Sequence, residues 1–300
     1  RVQILGKALT PGGFAEKVEA EWQHIKEPPT RLTPEAIQRI QGYFTEPDYA
    51  AIDNATDLLA SQRFENRGFD QWLTHNVDTH KKAGSAIVSL TMKKTGTPPG
   101  DVSDKQLEQI ADLADEFSFG EIRVTHQQNV VLADVRQDRL FELWQAITPM
   151  GFGTANLNTL TDVICCPGGD YCALANAKSI PVAEAIQRQF DDLDYLYDLG
   201  NIDLNISGGM NACGHHHVGN IGVLGVDKKG QEFYQISLGG SSHHDASIGK
   251  ILGPSFARDE MPKVISKIID VYVDKRTEEE TFLDTYRRVG IDPFKERVYA

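Results

Sequence analysis

The sequence lacks any apolar run of about eighteen residues, so we expect no segment that crosses a membrane. The opening segment, Arg1 to Ala8, carries charge but no apolar stretch behind it, and it therefore does not resemble a signal peptide. An initiating methionine is also missing. We expect a processed product or a piece of a longer protein.

Positive charge is in short supply, with 30 Lys and Arg against 43 Asp and Glu and a formal net charge of −13. Such a field repels a phosphate backbone, which argues against nucleic acid as a partner. A small anion would need a locally basic pocket.

Cysteine is also scarce, with four in 300 residues. This density is too low for a disulfide framework and indicates a reducing compartment, the cytoplasm.

The hydrophobic pattern predicts an α+β fold. In the first half of the chain, Phe14, Val18 and Trp22 predict a helix that ends at Pro28-Pro29, and Thr33 is typical of the cap of a second helix. Residues 45–80 are polar and irregular, and we expect a surface linker there. A strand over 84–92, a helix capped by Ser103, strands over 122–125 and 130–135 and a helix over 140–147 then follow. Their order, β-α-β-β-α, is that of a ferredoxin-like half unit.

The second half predicts an α/β domain with glycine-rich loops around its cysteines. The expected elements are a helix over 181–193, strands over 204–207, 218–226 and 233–238, a long helix containing Met261 and Tyr272, and a final amphipathic segment over 280–288.

The cysteines are clustered. Cys165, Cys166 and Cys172 lie within eight residues, and Cys213 lies in the glycine-flanked segment Gly-Gly-Met-Asn-Ala-Cys-Gly. Glycine lets backbone N–H groups approach a sulfur closely, and thiolates on short glycine-rich loops hold iron–sulfur clusters. The simpler alternative is that these thiols are buried and inert, because cysteine is among the most buried residue types.

A zinc site is a second alternative. Cys166, Cys172 and Cys213 with one of the histidines 215–217 would make a Cys₃His set, in a stabilised binding module without redox activity. The C-x5-C spacing is longer than the roughly two to four intervening residues of common zinc sites.

Two segments resemble the siroheme and 4Fe-4S signature of sulfite and nitrite reductases: TDVICCPGGDYC, which ends at Cys172, and NISGGMNACG, which ends at Gly214. The family pattern is C-x5-C, about forty residues, and then C-x3-C. Cys166 and Cys172 match the first pair. Cys213 matches the last cysteine, whose thiolate bridges the cluster to the siroheme iron in that family. The resemblance implies that these three cysteines are metal ligands and that Cys213 is catalytic.

The chain departs from the family pattern at Gly209, where the resemblance calls for the remaining cysteine. Glycine has no side chain with which to ligate iron. Cys165 is adjacent to Cys166, so its side chain should point elsewhere, and the thioether of Met210 is a poor substitute for a thiolate. We therefore expect that assembly of a 4Fe-4S cluster is impaired.

The same resemblance implies where the siroheme carboxylates are bound. The segment from Ile122 to Asn129 resembles the strand beside the siroheme, and Arg123 on it is expected to bind a siroheme carboxylate or the substrate anion, as a cofactor-binding and catalytic residue. The further cofactor-binding candidates are Lys81, Lys82, Gln128, Asn129 and, in the ligand loop, Gly209 and Asn211.

The implied organisation is the tail of a preceding half-repeat with its linker over residues 1–66, a ferredoxin-like half domain over 67–149 and a siroheme and 4Fe-4S domain over 150–300. The implied reaction is the six-electron reduction of sulfite to sulfide, with nitrite reduction to ammonia as the alternative. The Cys-Cys-Pro-Gly-Gly-Asp context and the His triplet favour the bacterial sulfite reductase branch. The expected partners are a flavoprotein or ferredoxin donor and the missing N-terminal half of the enzyme.

Overall fold

A computed structural model describes residues 2–27, 31–52 and 55–300 of this chain, which fall into two compact units divided after Ala50. The first unit is helical. Thr10 and Thr33 begin its second and third helices, and each hydroxyl accepts a hydrogen bond from a backbone N–H three residues on. The predicted cap at Thr33 is confirmed, whereas the predicted stop at Pro28-Pro29 lies outside the described residues. The helices are α1 (Val2–Ala8), α2 (Pro11–Ile25) and α3 (Pro34–Gln41).

The predicted irregular linker over residues 45–80 is wrong. Two helices occupy much of that stretch: α4 (Ala55–Glu65) and α5 (Arg67–Asn76). Phe69 and Trp72 on α5 are fully buried, and the Phe69 ring lies 5.0 Å from that of Phe141. Their spacing of three residues places both aromatics on one face of a helix. The polar residues around them obscured this face in the sequence.

The first sheet is antiparallel and contains β1 (Val77–Thr79), β2 (Ser85–Leu90), β3 (Arg123–Val124) and β4 (Val130–Arg136) in the order β1-β2-β4-β3. Between its strands lies α6 (Asp104–Phe117), and α7 (Leu140–Met150) follows. A capping box at Ser103 begins α6, as predicted. The β-α-β-β-α order of the ferredoxin-like half unit is confirmed.

The second sheet has five strands in chain order. Strands β5 to β7 run parallel, and β8 and β9 are added antiparallel. The helix predicted over 181–193 ends earlier, at Gln189, and Asp192 caps a new helix that begins at Leu193. The mixed α+β fold is confirmed. The elements are β5 (Ile164–Cys165), α8 (Ile180–Gln189), α9 (Leu193–Leu199), β6 (Leu204–Ser207), β7 (Ile221–Lys228), β8 (Gln231–Leu238), β9 (Lys250–Ile251), α10 (Met261–Lys275), α11 (Phe282–Val289) and α12 (Asp292–Tyr299).

Each sheet has its own hydrophobic core, and buried polar groups join the two. Lys93, which is 0% exposed, donates to Asp162 at 3.0 Å, and the amide of Asn129 donates to the same carboxylate oxygen at 3.0 Å. A buried charge pair of this kind is costly to break, so it holds the two cores in one arrangement. Within the described ranges, every helix is too short or too polar to cross a bilayer.

Candidate functional site

The two cysteine loops leave neighbouring parallel strands at the same edge of the second sheet. Cys166 directly follows β5, and its N–H donates to Ile206 of β6 at 3.1 Å. Gly208 directly follows β6, and its N–H donates to Cys166 Sγ at 3.0 Å. Parallel strands end on the same side, so the fold brings the two signature segments into direct contact.

Glycine is required where these loops meet. Gly168 has φ +58°, and a Cβ there would lie 2.5 Å from the backbone nitrogen of Ser179. A Cβ at Gly208 would lie 2.6 Å from the carbonyl oxygen of Ala177, whose N–H donates to Gly208 O at 2.9 Å. No L side chain fits these distances. The glycines therefore let two backbones and a thiol pack in one small volume.

The other two predicted ligands also lie on these loops, and only Cys213 is more exposed than Cys166. Cys172 is half-buried, and its N–H donates to Gly168 O at 2.9 Å. Cys213 is exposed and follows Ala212, which has φ +56°. In the part of the chain that the structure describes, no three His, Cys, Asp or Glu side chains converge as a metal site would require. The structure thus places the thiols on adjoining loops without drawing them into one cluster.

Cys165 belongs to the hydrophobic core rather than to the loops. It is 3% exposed, and its thiol donates to the carbonyl oxygen of Cys166 at 3.2 Å. Burial raises the pKa of the Cys165 thiol. A neutral, buried thiol on the core side of β5 is not placed to replace a missing ligand in the loops.

Gly209 leaves a gap in the donor set. A Cβ built there would lie 3.3 Å from Ala175 Cα and from the backbone nitrogen of Asn176, and the next side chain, Met210, is 82% exposed. Cys166, Cys172 and Cys213 are therefore the three thiols that these loops could offer to a cubane cluster, and the structure does not bring them together. The residues do not fit a cluster held by four protein thiolates.

The predicted basic residues lie in the first sheet and the turn before β2. Arg123 on β3 is exposed, and its Nε donates to Glu121 at 2.5 Å. Lys81 and Lys82 lie between β1 and β2, and the Lys82 N–H donates to His80 Nδ1 at 2.9 Å. Their binding of siroheme carboxylates or of the substrate stays a prediction.

The predicted amide residues divide into two groups. Asn211 is exposed at the tip of the ligand loop. Gln128 and Asn129 point inward instead. Gln128 bonds to the backbone of Cys165, and Asn129, 3% exposed, accepts from Met92 N at 3.0 Å. Cofactor contact by these three residues also stays a prediction.

Sequence reasoning missed a polar cavity of about 210 Å³ on the face of β5 and β6 away from the core. Asn205 on β6 lines it, is 4% exposed and donates to the carbonyl oxygen of His215 at 3.1 Å. Asp203 also lines it and lies 3.4 Å from His243. Burial raises the pKa of Asp203. The position of Asn205 at the start of the second signature segment was the one signal available in the sequence.

Beside this cavity the second member of the His triplet is inside the protein. His216 is 5% exposed, and burial together with His217 lowers its pKa to about 4. The imidazole therefore stays neutral at physiological pH. Of the three histidines, His215 and His217 are exposed, so the triplet is not a uniformly solvated turn.

Comparison with known proteins identifies both domains. The family described as "Nitrite/Sulfite reductase ferredoxin-like half domain" matches residues 90–150. The family described as "Nitrite and sulphite reductase 4Fe-4S domain" matches residues 157–300. The two matches cover most of the chain in the order that the fold shows.

Individual relatives carry both substrate names. The protein named "Sulfite reductase (ferredoxin) 2" of Mycolicibacterium paratuberculosis is 28% identical over 206 residues, which are 65% of this chain and 37% of that protein. "Ferredoxin--nitrite reductase" of Synechococcus elongatus is 28% identical over 202 residues, 64% of this chain and 37% of that protein. The chain thus spans a little over a third of the length of these curated relatives.

A solved structure shares the fold. The NirA protein of Mycobacterium tuberculosis superimposes with a TM-score of 0.64 at 24% identity, over 98% of this chain and 48% of that one. The superposition shows a common fold, and the two family matches identify the family to which the sequence belongs. The chain belongs to the nitrite and sulfite reductase family, with a ferredoxin-like half domain followed by the 4Fe-4S domain.

Proposed function

We propose that this chain is the C-terminal half of a reductase hemoprotein that takes sulfite to sulfide with six electrons. The observation that carries the proposal is the contact between Cys166 Sγ and Gly208 N, because it joins the two signature loops at one edge of the sheet. Relatives named for sulfite and for nitrite are about equally similar, so nitrite reduction to ammonia is the alternative. The Cys165-Cys166-Pro-Gly-Gly-Asp context and the His triplet favour sulfite.

The roles in this proposal are those that the family resemblance implies for these residues. Cys166, Cys172 and Cys213 would hold the iron of the cluster, and Cys213 would also be the ligand shared with the siroheme. A siroheme and an iron–sulfur cluster supply electrons singly to a bound anion. Arg123 binds a siroheme carboxylate or the anion, and for this its guanidinium exchanges Glu121 for the new partner. Lys81 and Lys82 add positive charge in a chain that is acidic overall.

The proposal includes partners and a location. The first half of the enzyme supplies the rest of the substrate pocket, and a flavoprotein or a ferredoxin supplies electrons in the cytoplasm. Relatives whose names include ferredoxin support a ferredoxin as the electron donor. The net charge of −13 favours a donor with a basic docking patch, because two acidic surfaces repel each other.

The test is anaerobic reconstitution of the chain together with the first half, followed by a visible spectrum, iron and labile-sulfide assays, and rates with sulfite and nitrite. We expect siroheme absorption and a higher kcat/KM for sulfite. Cys213→Ser should abolish the activity and alter the siroheme spectrum, whereas Cys165→Ser, in the core, should retain the spectrum. A protein that binds one zinc ion and shows no visible absorption would overturn the proposal in favour of the zinc module.

A further inference from the structure

Strand β5 lies at the edge of the five-stranded sheet and pairs with β6 alone. The N–H of Cys166 points toward β6, where it donates to Ile206 O at 3.1 Å. Successive backbone groups of a strand alternate in direction, so the N–H and C=O of Cys165 point away from β6. Polar groups on an edge strand need another partner when they are buried, as Cys165 is.

The side chain of Gln128 provides that partner. Its Oε1 accepts from Cys165 N at 2.8 Å, and its Nε2 donates to Cys165 O at 2.8 Å. A primary amide carries the same donor and acceptor as a peptide unit. Gln128 therefore acts as one peptide unit of a neighbouring strand, supplied by the ferredoxin-like half domain to the strand that leads into Cys166.

The β3–β4 turn is built to present this side chain. Gln128 has φ +60°, and its N–H donates to Thr125 O at 3.1 Å. A Cβ at Gly100 would lie 3.0 Å from the Cβ of Gln128, so the side chain packs where only glycine leaves room. Non-glycine residues in the left-handed region are uncommon and persist where the surroundings hold them there. Glycine would satisfy the turn itself better, which points to a role for the amide.

We propose that Gln128 is a positioning residue, whose amide holds the Cys165 backbone and thereby the Cys166 thiol beside Gly208. Both polar atoms of the amide are engaged with backbone, so the geometry assigns this structural role to the amide, and the cofactor contact expected from the sequence stays a prediction. Its importance for metal binding rests on the proposed function, in which Cys166 is a ligand. The two hydrogen bonds themselves are observed in the structure and do not depend on that function.

The experiment uses the full chain without cofactors and compares Gln128→Gly and Gln128→Ala with a control in the same turn, Gln127→Ala. The backbone carbonyl of Gln127 accepts from Lys93, and an alanine keeps that bond. We measure amide hydrogen exchange over 163–167 and the alkylation rate of Cys166 relative to Cys172 by mass spectrometry. Loss of two hydrogen bonds should speed exchange at Cys165 about tenfold and raise the alkylation ratio, with no change in the control.

Two variants keep the test decisive. Gln128→Gly removes the amide while favouring φ +60°, so the turn should fold and any change reports the lost bonds. Gln128→Glu keeps an acceptor for the Cys165 N–H and should retain part of the protection. Wild-type exchange and alkylation in Gln128→Gly would overturn the proposal. Hydrogen exchange and alkylation are measured without siroheme, cluster or substrate. Their outcome therefore does not depend on whether the chain is part of a reductase, and the two proposals can fail independently.

Discussion

At the scale of single residues, Gly209 is the position where this chain departs from the cysteine pattern that the resemblance implies. The fold around it is complete: Gly208 contacts Cys166, and the carbonyl of Gly208 accepts from the N–H groups of Asn176 and Ala177. The backbone of the loop is therefore held in place although position 209 carries no cysteine. Neither the buried Cys165 nor the solvent-exposed Met210 is a substitute.

Gly209→Cys should add about one iron per chain after anaerobic reconstitution, with matching labile sulfide. A Cβ at this position lies 3.3 Å from its nearest neighbours, so the loop needs to give by only a few tenths of an ångström. Ligand binding contributes to folding in such sites, and the thermal midpoint of the reconstituted protein should rise. Met210→Cys, one residue along and exposed, is the control and should add nothing. If the unchanged chain, with Gly209, already held four stable irons, the hypothesis that it lacks one cluster ligand would be wrong.

At the scale of elements, α5 anchors the first core although its sequence looks irregular. Phe69 and Trp72 are both fully buried, and the rings of Phe69 and Trp144 lie 5.6 Å apart. The Trp72 indole N–H has no hydrogen-bond acceptor among the described residues. Its contribution therefore comes from packing rather than from hydrogen bonding.

Trp72→Ala should lower the free energy of unfolding by about 3–5 kcal/mol, because it removes a large buried side chain and leaves a cavity. Trp72→Phe should cost clearly less, since it keeps an aromatic ring and removes a donor without a partner. Phe64→Ala on α4, at a side chain that is 92% exposed, should change stability by less than about 0.5 kcal/mol. Urea unfolding would measure all three, and equal losses for Trp72→Ala and Phe64→Ala would contradict the placement of α5.

At the scale of the whole 51–300 unit, a buried polar junction ties the two cores together. Lys93 Nζ donates to Asp162 at 3.0 Å and to Gln127 O at 2.7 Å, and Asp162 also accepts from Asn129 and from the Asn158 N–H. Asp162 precedes the first cysteine loop by only a few residues. The junction therefore couples the ferredoxin-like half domain to the segment that carries Cys166.

Lys93→Met should destabilise the chain by about 3–5 kcal/mol, because it leaves the Asp162 carboxylate buried without its counter-charge. The double variant Lys93→Met/Asp162→Asn removes both charges and should recover most of that loss. Urea unfolding should be followed by tryptophan fluorescence, to which Trp72 and Trp144 of the first core and Trp22 of α2 contribute, and by hydrogen exchange in β6. A double variant no more stable than Lys93→Met would show that charge burial is not the cause.

The sequence by itself determined what depends on neighbouring residues. Helix caps such as Ser103 act within four residues, and strand and helix periodicity is local, so the β-α-β-β-α order was predictable. The spacing of Cys166 and Cys172, and the gap at Gly209, are likewise readable directly. The α4 and α5 helices were missed because few apolar residues mark their buried face.

Tertiary structure alone decided which distant groups meet. Gln128 and Cys165 are 37 residues apart, and Lys93 and Asp162 are 69 apart. No local pattern encodes such a pair, because the contact exists only after two sheets have packed and buried the polar groups that must then find each other. Tertiary structure also decided that the Cys165 side chain faces the core, because this depends on which face of the second sheet is covered by helices.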